Sequence, residues 1–214
     1  MPNIPEQVAI QKIVNIKQIP YLVHFTHVNN LPSILQYGFY PQAQKTDLAA
    51  GIAHINDSLR LDNKKNYSCF SIAFPNSRMF YRVRNSFGGD WAVLLINNRI
   101  LWEKDCLFYE MNAADNRVRF NDVEYHQGAN ALARMYDHSD DSPREPHLLN
   151  CDPTNDQAEV MVPGIIDPSY INSIVFDNQT IATHYHHNIT DKSIYYCAPS
   201  TKIYTTRRAC RSGY

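Results

Sequence analysis

The order of its strand-like segments constrains the fold of this chain more than any other sequence feature. Short apolar runs of the length of buried strands follow one another as YLVHFT, SCFSIAF, DWAVLLIN, DCLFYE, QAEVMVPG, YINSIVF and, more weakly, SIYYCA. These runs and the helix-like segments occur in a mixed order, without a repeated strand-helix-strand alternation. The order therefore predicts an α+β fold with mostly antiparallel strands, and not a doubly wound parallel sheet.

Length and composition limit the domain number and the class of protein. At 214 residues and 44% hydrophobic content, the chain can bury a full core but is too short for two ordinary domains, so we predict one domain over residues 1–214. The start of the chain lacks the layout of a leader, and no apolar stretch has the length of a membrane span. These features predict a cytoplasmic protein with no membrane partner. The five cysteines never form a C-x-x-C pair, which predicts reduced thiols and no zinc site.

Several local patterns predict helices and a long loop. The apolar spacing of residues 5–17 indicates a helix with Pro5 in its first turn. Asn29 and Asn30 are suited to cap a second, short helix, LPSILQYG. The polar segment of about residues 121–156 is predicted to be a substrate loop, because so long a loop region in a compact domain is usually functional. No Rossmann or Walker glycine motif is present, so a bound dinucleotide would be held in another way.

The charge pattern allows local contacts with nucleic acid but no long-range attraction. The net charge is −1, whereas arginines cluster locally, and fourteen tyrosines offer rings for stacking on bases. The candidate nucleic-acid contacts are Arg78, Arg82, Arg84 and Arg119. The C-terminal tail, TKIYTTRRACRSGY, is basic as well. Solvated protein faces are an equally good interpretation of each cluster.

A first candidate site lies at the end of the strand YLVHFT. His24 and Thr26 fall on one face of this strand, and His27 and Asn30 follow at the start of the next helix. Imidazoles, a hydroxyl and helix N–H groups in one region suit an amide, ribose or phosphate ligand. A histidine pair satisfied inside the protein is the commoner explanation of such a pattern.

Glu159 is the second candidate. It stands at the start of a strand beside apolar residues, where partial burial would raise the pKa of its carboxyl group and make it useful as a base or as a stabiliser of positive charge. An exposed strand residue is the alternative.

Other segments offer further candidates. Arg60 has the planar fork that holds a pyrophosphate or polarises a base, and Met79, Tyr81 and Asn112 could supply a ring platform and an amide. Core packing is the simpler account of Met79. The histidines of HYHHN lack partners at a zinc-like spacing and are interpreted as surface imidazoles, so no metal is predicted.

Five segments taken together resemble the DarT family of ADP-ribosyltransferases. In order, they are HFTHVNNLPSIL, the Arg60-bearing GIAHINDSLR, FPNSRMFY, the NAA of MNAADNR, and QAEVMVPG. The resemblance extends from about Tyr21 to Phe176 and implies a split NAD-binding core of two packed, mostly antiparallel sheets with flanking helices. It also implies NAD as co-substrate, single-stranded DNA as acceptor, and a toxin or phage-defence role opposed by an antitoxin that removes the modification.

The resemblance also implies roles for individual residues. By position, His24, Thr26, His27 and Asn30 match the segment that holds the nicotinamide and its ribose. Arg60 matches the arginine-bearing segment near the reacting groups, and Glu159 matches the catalytic glutamate. Typical relatives carry more than one basic residue around Arg60, so the favoured base is left open. Two alternatives are left open as well: the same chemistry on RNA, and a nucleic-acid-binding module without catalysis.

Overall fold

The computed structural model describes residues 1–44, 64–138 and 143–213. Arg60 and the rest of GIAHINDSLR lie outside the described residues, so the place predicted for Arg60 stays a prediction. No helix in the described ranges is both long enough and apolar enough to cross a membrane.

The described residues form one mixed sheet of seven strands. These are β1 (Tyr21–His27), β2 (Tyr67–Ile72), β3 (Trp91–Asn97), β4 (Leu107–Tyr109), β5 (Glu159–Pro163), β6 (Ile171–Phe176) and β7 (Ser193–Tyr196). Their order across the sheet is β4-β5-β2-β1-β3-β6-β7. All neighbours run antiparallel except β6 and β7, which are parallel. The predicted α+β class with mostly antiparallel strands is confirmed.

The sheet is split between β1 and β2. β1 pairs with β3 at every position from Tyr21 to His27, but it pairs with β2 only at Leu22 and Val23. Beyond these two positions β1 and β2 no longer pair, so the sheet consists of the halves β4-β5-β2 and β1-β3-β6-β7. The family resemblance implies two packed sheets, whereas the described strands form one sheet whose pairing is interrupted at this junction.

Helices cover both faces of the sheet. They are α1 (Ile4–Lys17), α2 (Leu31–Tyr37), α3 (Ser77–Phe87), α4 (Ile100–Glu103), α5 (Gly128–Arg134), α6 (Gln179–Asn188) and α7 (Arg207–Ser212). Because strand side chains alternate between faces, Leu22 and Leu94 join the large core beneath α1 and α2, whereas Val23 packs with Phe80 and Trp91 on the opposite face. Complete burial of such a side chain stabilises the fold by roughly 1.5–3 kcal/mol.

The first helix is predicted correctly in extent but not in its buried face. Asn3 caps α1 by accepting a hydrogen bond from the Glu6 N–H at 3.0 Å. The face expected from the sequence included Val8, which is 58% exposed. Val14, which the sequence placed on the same face as Val8 and Ile13, is buried as expected, together with Ile10. The helix is thus rotated slightly relative to the simplest apolar stripe.

Two other local predictions need correction. Asn30 makes no side-chain cap on α2, because its amide group bonds to Thr26 instead. The segment HYHHN belongs to α6, a helix that the sequence patterns did not indicate. Its three histidines are exposed on that helix, as expected for surface imidazoles.

Candidate active site

Two groups in the described part of the chain donate hydrogen bonds to the Glu159 carboxylate at the beginning of β5. The Asn112 amide Nδ2 donates to Glu159 Oε1 at 3.1 Å, and the Ala113 backbone N–H donates to Oε2 at 3.2 Å. The side chain is half-buried, and its backbone is paired with Tyr109 of β4. One donor on each oxygen fixes the plane of the carboxylate and the direction of its remaining lone pairs.

The turn after β4 places both donors. Asn112 Oδ1 accepts a hydrogen bond from the Ala114 N–H at 3.0 Å, which is the Asx-turn pattern that asparagine favours. Because a carboxylate only accepts hydrogen bonds, Nδ2 must be the atom facing Glu159, and the two ends of the amide have separate roles. Asn112 was predicted to offer its amide to a ligand, and the structure shows it bound to Glu159.

His24 spans the split in the sheet. Its Nδ1 lies 3.0 Å from the Cys69 carbonyl oxygen of β2. A carbonyl oxygen only accepts, so Nδ1 carries a proton and donates this hydrogen bond. The ring packs edge-on to Phe39 at 5.0 Å between centroids and lies 5.4 Å from Phe70. His24 therefore joins the two halves of the sheet where backbone pairing stops.

Thr26 and Asn30 form a buried pair. Asn30 Nδ2 donates to Thr26 Oγ1 at 2.9 Å, and Thr26 is 2% exposed. Strand alternation places the side chains of His24 and Thr26 on the face opposite Val23. Val23 pairs with Ser71, and Phe70 pairs with Val160. Because neighbouring residues of a strand point to opposite faces, both Ser71 and Glu159 lie on the Val23 face. Thr26 thus supports the turn after β1 and does not line a cleft together with Glu159.

His27 shapes the same turn. Its Nδ1 accepts a hydrogen bond from the Asn29 N–H at 3.2 Å and so caps the short 3-10 helix Val28–Asn30. Its ring packs edge-on to Trp91 with 5.6 Å between centroids. The imidazole therefore has a structural function in the described part of the chain.

A cavity opens on the Glu159 face of the sheet. Its volume is about 840 Å³, and it lies between the start of α3, the segment that leads into β5, and the C-terminal tail. Its walls include Arg78, Tyr81, Asn155, Gln157 and Arg208. Gln157 is the described wall residue nearest in sequence to Glu159, which does not itself line the cavity. The cavity has the size and mixed polarity of a small-molecule or nucleotide site.

Known proteins match this chain in sequence and in fold. The family model for DarT, described as ssDNA thymidine ADP-ribosyltransferase, matches residues 23–203. The chain belongs to the DarT family. A DNA ADP-ribosyl transferase–DNA ADP-ribosyl glycohydrolase fusion protein from Thermosipho africanus is 23% identical over 189 residues, which are 81% of this chain and 46% of that protein. The chain thus spans about half the length of this curated relative.

Solved DarT structures share the fold. The Thermosipho africanus DarTG complex with ADP-ribose gives a TM-score of 0.55 at 19% identity, covering 84% of this chain and 50% of that one. Thermus sp. 2.9 DarT in complex with NAD+ gives 0.54 at 16% identity, covering 82% and 94%. The same DarT in complex with ADP-ribosylated ssDNA gives 0.54 at 16% identity, covering 85% and 94%.

The predicted nucleic-acid contacts of this DarT-family chain divide into exposed and internal arginines. Arg78 and Arg82 are exposed on α3, and Arg119 is exposed with its guanidinium 4.4 Å from the centroid of the Phe120 ring. Arg84 needs correction as a nucleic-acid contact. Its guanidinium pairs with Asp177 at 3.3 Å and donates to the Tyr204 carbonyl at 3.4 Å, so it is committed inside the protein.

Met79 also differs from its predicted role. It is partly buried and packs with the apolar residues of α3 and β3 on the Glu159 face. Its backbone N–H donates to the Asn76 cap of α3 at 3.0 Å. Tyr81, in contrast, is 71% exposed at the cavity. Core packing is therefore the role of Met79, whereas Tyr81 presents an exposed ring at the cavity.

A cluster at the C-terminus was missed by sequence reasoning. Asp152 is fully buried and accepts a two-point ion pair from Arg211, with bonds of 2.8 and 2.9 Å. Arg207 donates to the carbonyl oxygens of Pro153 and Thr154. The basic tail had suggested nucleic-acid contacts for these arginines. Instead they hold the segment that leads into β5, a long-range arrangement without a local sequence signal.

Proposed function

We propose that this protein is an NAD-dependent ADP-ribosyltransferase that modifies a base in single-stranded DNA. The observation that carries the proposal is the Glu159 carboxylate, held by Asn112 and Ala113 on the sheet face that bears the cavity. Membership of the DarT family supports the same activity. The solved Thermus relatives in complex with NAD+ and with ADP-ribosylated ssDNA support the proposed substrates. The family description names thymidine, which we propose as the first base to test.

The proposed reaction breaks the bond between nicotinamide and ribose and forms a bond from the anomeric carbon to a nitrogen of the base. Positive charge develops on the sugar as the first bond lengthens, so a fixed carboxylate beside it stabilises the transition state more than the ground state. Nicotinamide leaves as a neutral molecule. The base loses its N–H proton, which Glu159 accepts or passes to water.

Other residues support substrate binding in this proposal. Tyr81 would stack on a ring at the cavity, while Arg78, Arg82 and Arg119 would contact phosphates of the strand. His24 would hold the two halves of the sheet together at the split and so shape the nicotinamide-binding region. Arg60 would hold a phosphate or polarise the base. None of these roles requires a metal ion.

We also propose a partner that reverses the modification. The Thermosipho relative is named as a fusion of the transferase with a DNA ADP-ribosyl glycohydrolase, and the present chain matches about half of it. The transferase would act as a toxin and the glycohydrolase activity as its antitoxin. Growth arrest on expression that is relieved by such a glycohydrolase would support it.

Replacement of Glu159 by glutamine tests the catalytic role. Glu159→Gln keeps the size of the side chain but removes its charge and basicity, so we expect turnover to fall by about 10²–10⁴-fold. The measurement is mass spectrometry of a mixed-sequence oligonucleotide incubated with NAD, with free nicotinamide measured in parallel. Glu124→Gln, an exposed substitution on the turn before α5, is the matched control and should keep full activity.

The same assay separates the competing functions. An adduct on single-stranded DNA that is absent from RNA of the same sequence supports the proposal, and four homopolymers identify the base. An adduct on RNA alone would change the acceptor. Binding of the oligonucleotide with neither adduct nor nicotinamide would identify a binding module, and full activity of Glu159→Gln would remove Glu159 from the mechanism.

A further inference from the structure

Asn112 contacts the Glu159 carboxylate, which is proposed for catalysis, and both ends of its amide group form hydrogen bonds within the protein. Its Nδ2 bonds to Glu159 Oε1 at 3.1 Å, while its Oδ1 is occupied by the Ala114 N–H at 3.0 Å. The amide is therefore locked at both ends. A group of this kind can control where the carboxylate points and how much charge it carries.

The surrounding turn is built to keep Asn112 in place. The Asp115 N–H donates to the Asn112 carbonyl at 2.9 Å, and Asp115 forms a two-point ion pair with Arg117 at 2.8 and 2.9 Å. Ala113 is 2% exposed, so its N–H is fixed toward Glu159 by packing. The sheet restrains the opposite side, because Tyr109 and Glu159 are paired backbone positions.

We propose that Asn112 is a positioning residue for Glu159 that keeps the carboxylate ionised and aligned for ADP-ribose transfer. This inference rests on the proposed function. A substrate pose that is displaced by about 1 Å can cost on the order of 10²-fold in rate. The neutral amide donates a hydrogen bond without competing for the proton, whereas a second carboxylate at the same distance would share one proton with Glu159.

The decisive experiment compares Asn112→Asp with wild type across pH. The substitution replaces the amide N–H donor with a carboxylate oxygen, so this carboxylate and that of Glu159 are both ionised only at higher pH. We expect the acid limb of kcat against pH to move upward by at least about one pH unit, since like-charged carboxylates in contact titrate far apart. A residue needed only for folding would lower activity equally at every pH.

Asn116→Asp is the matched control. It adds the same charge to the same turn at an exposed position, and its pH profile should overlay that of wild type. Asn112→Ala provides the second variant, for which we expect kcat to fall by on the order of 10²-fold while KM for NAD changes little. Thermal unfolding of each variant establishes that the fold is kept.

The outcomes separate this inference from the proposed function. If wild type modifies DNA and Asn112→Asp shows an unshifted profile, the positioning role is overturned while the enzyme assignment stands. An Asn112→Ala variant with wild-type kcat would overturn it in the same way. If wild type forms no adduct, the proposed function is overturned and the positioning role with it.

Discussion

Gly88 and Gly89 follow α3 with positive φ angles of 62° and 69°, a backbone region that other residues enter at a cost. They differ in their surroundings. A Cβ on Gly89 would collide with His27 Nε2, whereas a Cβ on Gly88 would meet nothing within 4 Å. Alanine substitutions at the two glycines therefore distinguish the cost of backbone strain from the cost of displacing the His27 ring, which caps the turn after β1.

We predict that Gly88→Ala destabilises the protein by about 1–3 kcal/mol through strain alone, because its φ of 62° and ψ of −157° define a region that essentially only glycine occupies. Gly89→Ala should cost about 1–3 kcal/mol more, because the new methyl group forces His27 out of its packed position against Trp91. Urea unfolding of the two variants measures the difference. Equal losses of stability would show that His27 moves aside without cost.

At the same scale, the sequence singled out Glu159 and Asn112 but could not show that they meet. They are 47 residues apart in the chain. Their contact depends on the pairing of β4 with β5, which no local pattern encodes. Thr26 and Arg84 illustrate the same limit: polar residues that look suited to a ligand are satisfied within the protein by Asn30 and Asp177.

Among the elements, strands were easier to predict than helix ends. DWAVLLIN and QAEVMVPG correspond closely to β3 and β5, because continuous apolar runs of this length bury well in a sheet. The prediction that Asn30 caps α2 was wrong, because its side chain donates a hydrogen bond to Thr26 instead. The helix α6 was missed because its histidines carry no apolar periodicity.

The C-terminal helix α7 lies beyond the stretch matched by the family model, yet it braces the segment before Glu159. We predict that Arg211→Met destabilises the protein by about 3–5 kcal/mol, because it leaves the Asp152 carboxylate buried without its cationic partner. Chemical denaturation measures this loss. Transfer activity should fall as well, since residues 152–157 lead into β5.

Arg208→Met is the control for that substitution. It removes the same charge from the same helix at an exposed position, so stability should change by less than about 0.5 kcal/mol. Adding Asp152→Asn to Arg211→Met should recover part of the loss, because the unpaired charge is removed. An Arg211→Met protein as stable as wild type would show that α7 is not a brace.

For the whole molecule, the sequence predicted the fold class but not the way in which the sheet divides. The split depends on β1 pairing fully with β3 and at only two positions with β2. Both neighbours have suitable apolar runs, so the difference arises from tertiary packing. Glu159 belongs to one half of the sheet and His24 to the other, with their side chains on opposite faces, and local patterns alone cannot reveal this arrangement.

Global stability should depend on pH through His126, which is fully buried between β4 and the turn at Val118. Burial lowers the pKa of this imidazole below its usual value, although the carbonyls of Val118 and Phe108 oppose the shift. The unfolded chain therefore binds a proton near pH 6.5 that the folded chain does not yet bind. Stability from this group is present at pH 7.5 and is lost as the pH falls below about 6.5.

We predict that His126 makes the free energy of unfolding decrease as the pH falls, by up to about 1.4 kcal/mol per pH unit. Urea unfolding at pH 7.5, 6.5 and 5.5 measures the slope. His126→Gln should be less stable at every pH but show a flatter dependence, whereas His186→Gln, an exposed substitution on α6, should keep the wild-type slope. If His126→Gln and wild type lost stability in parallel, His126 would bind protons equally in the folded and unfolded chains, and the lowered pKa would be overturned.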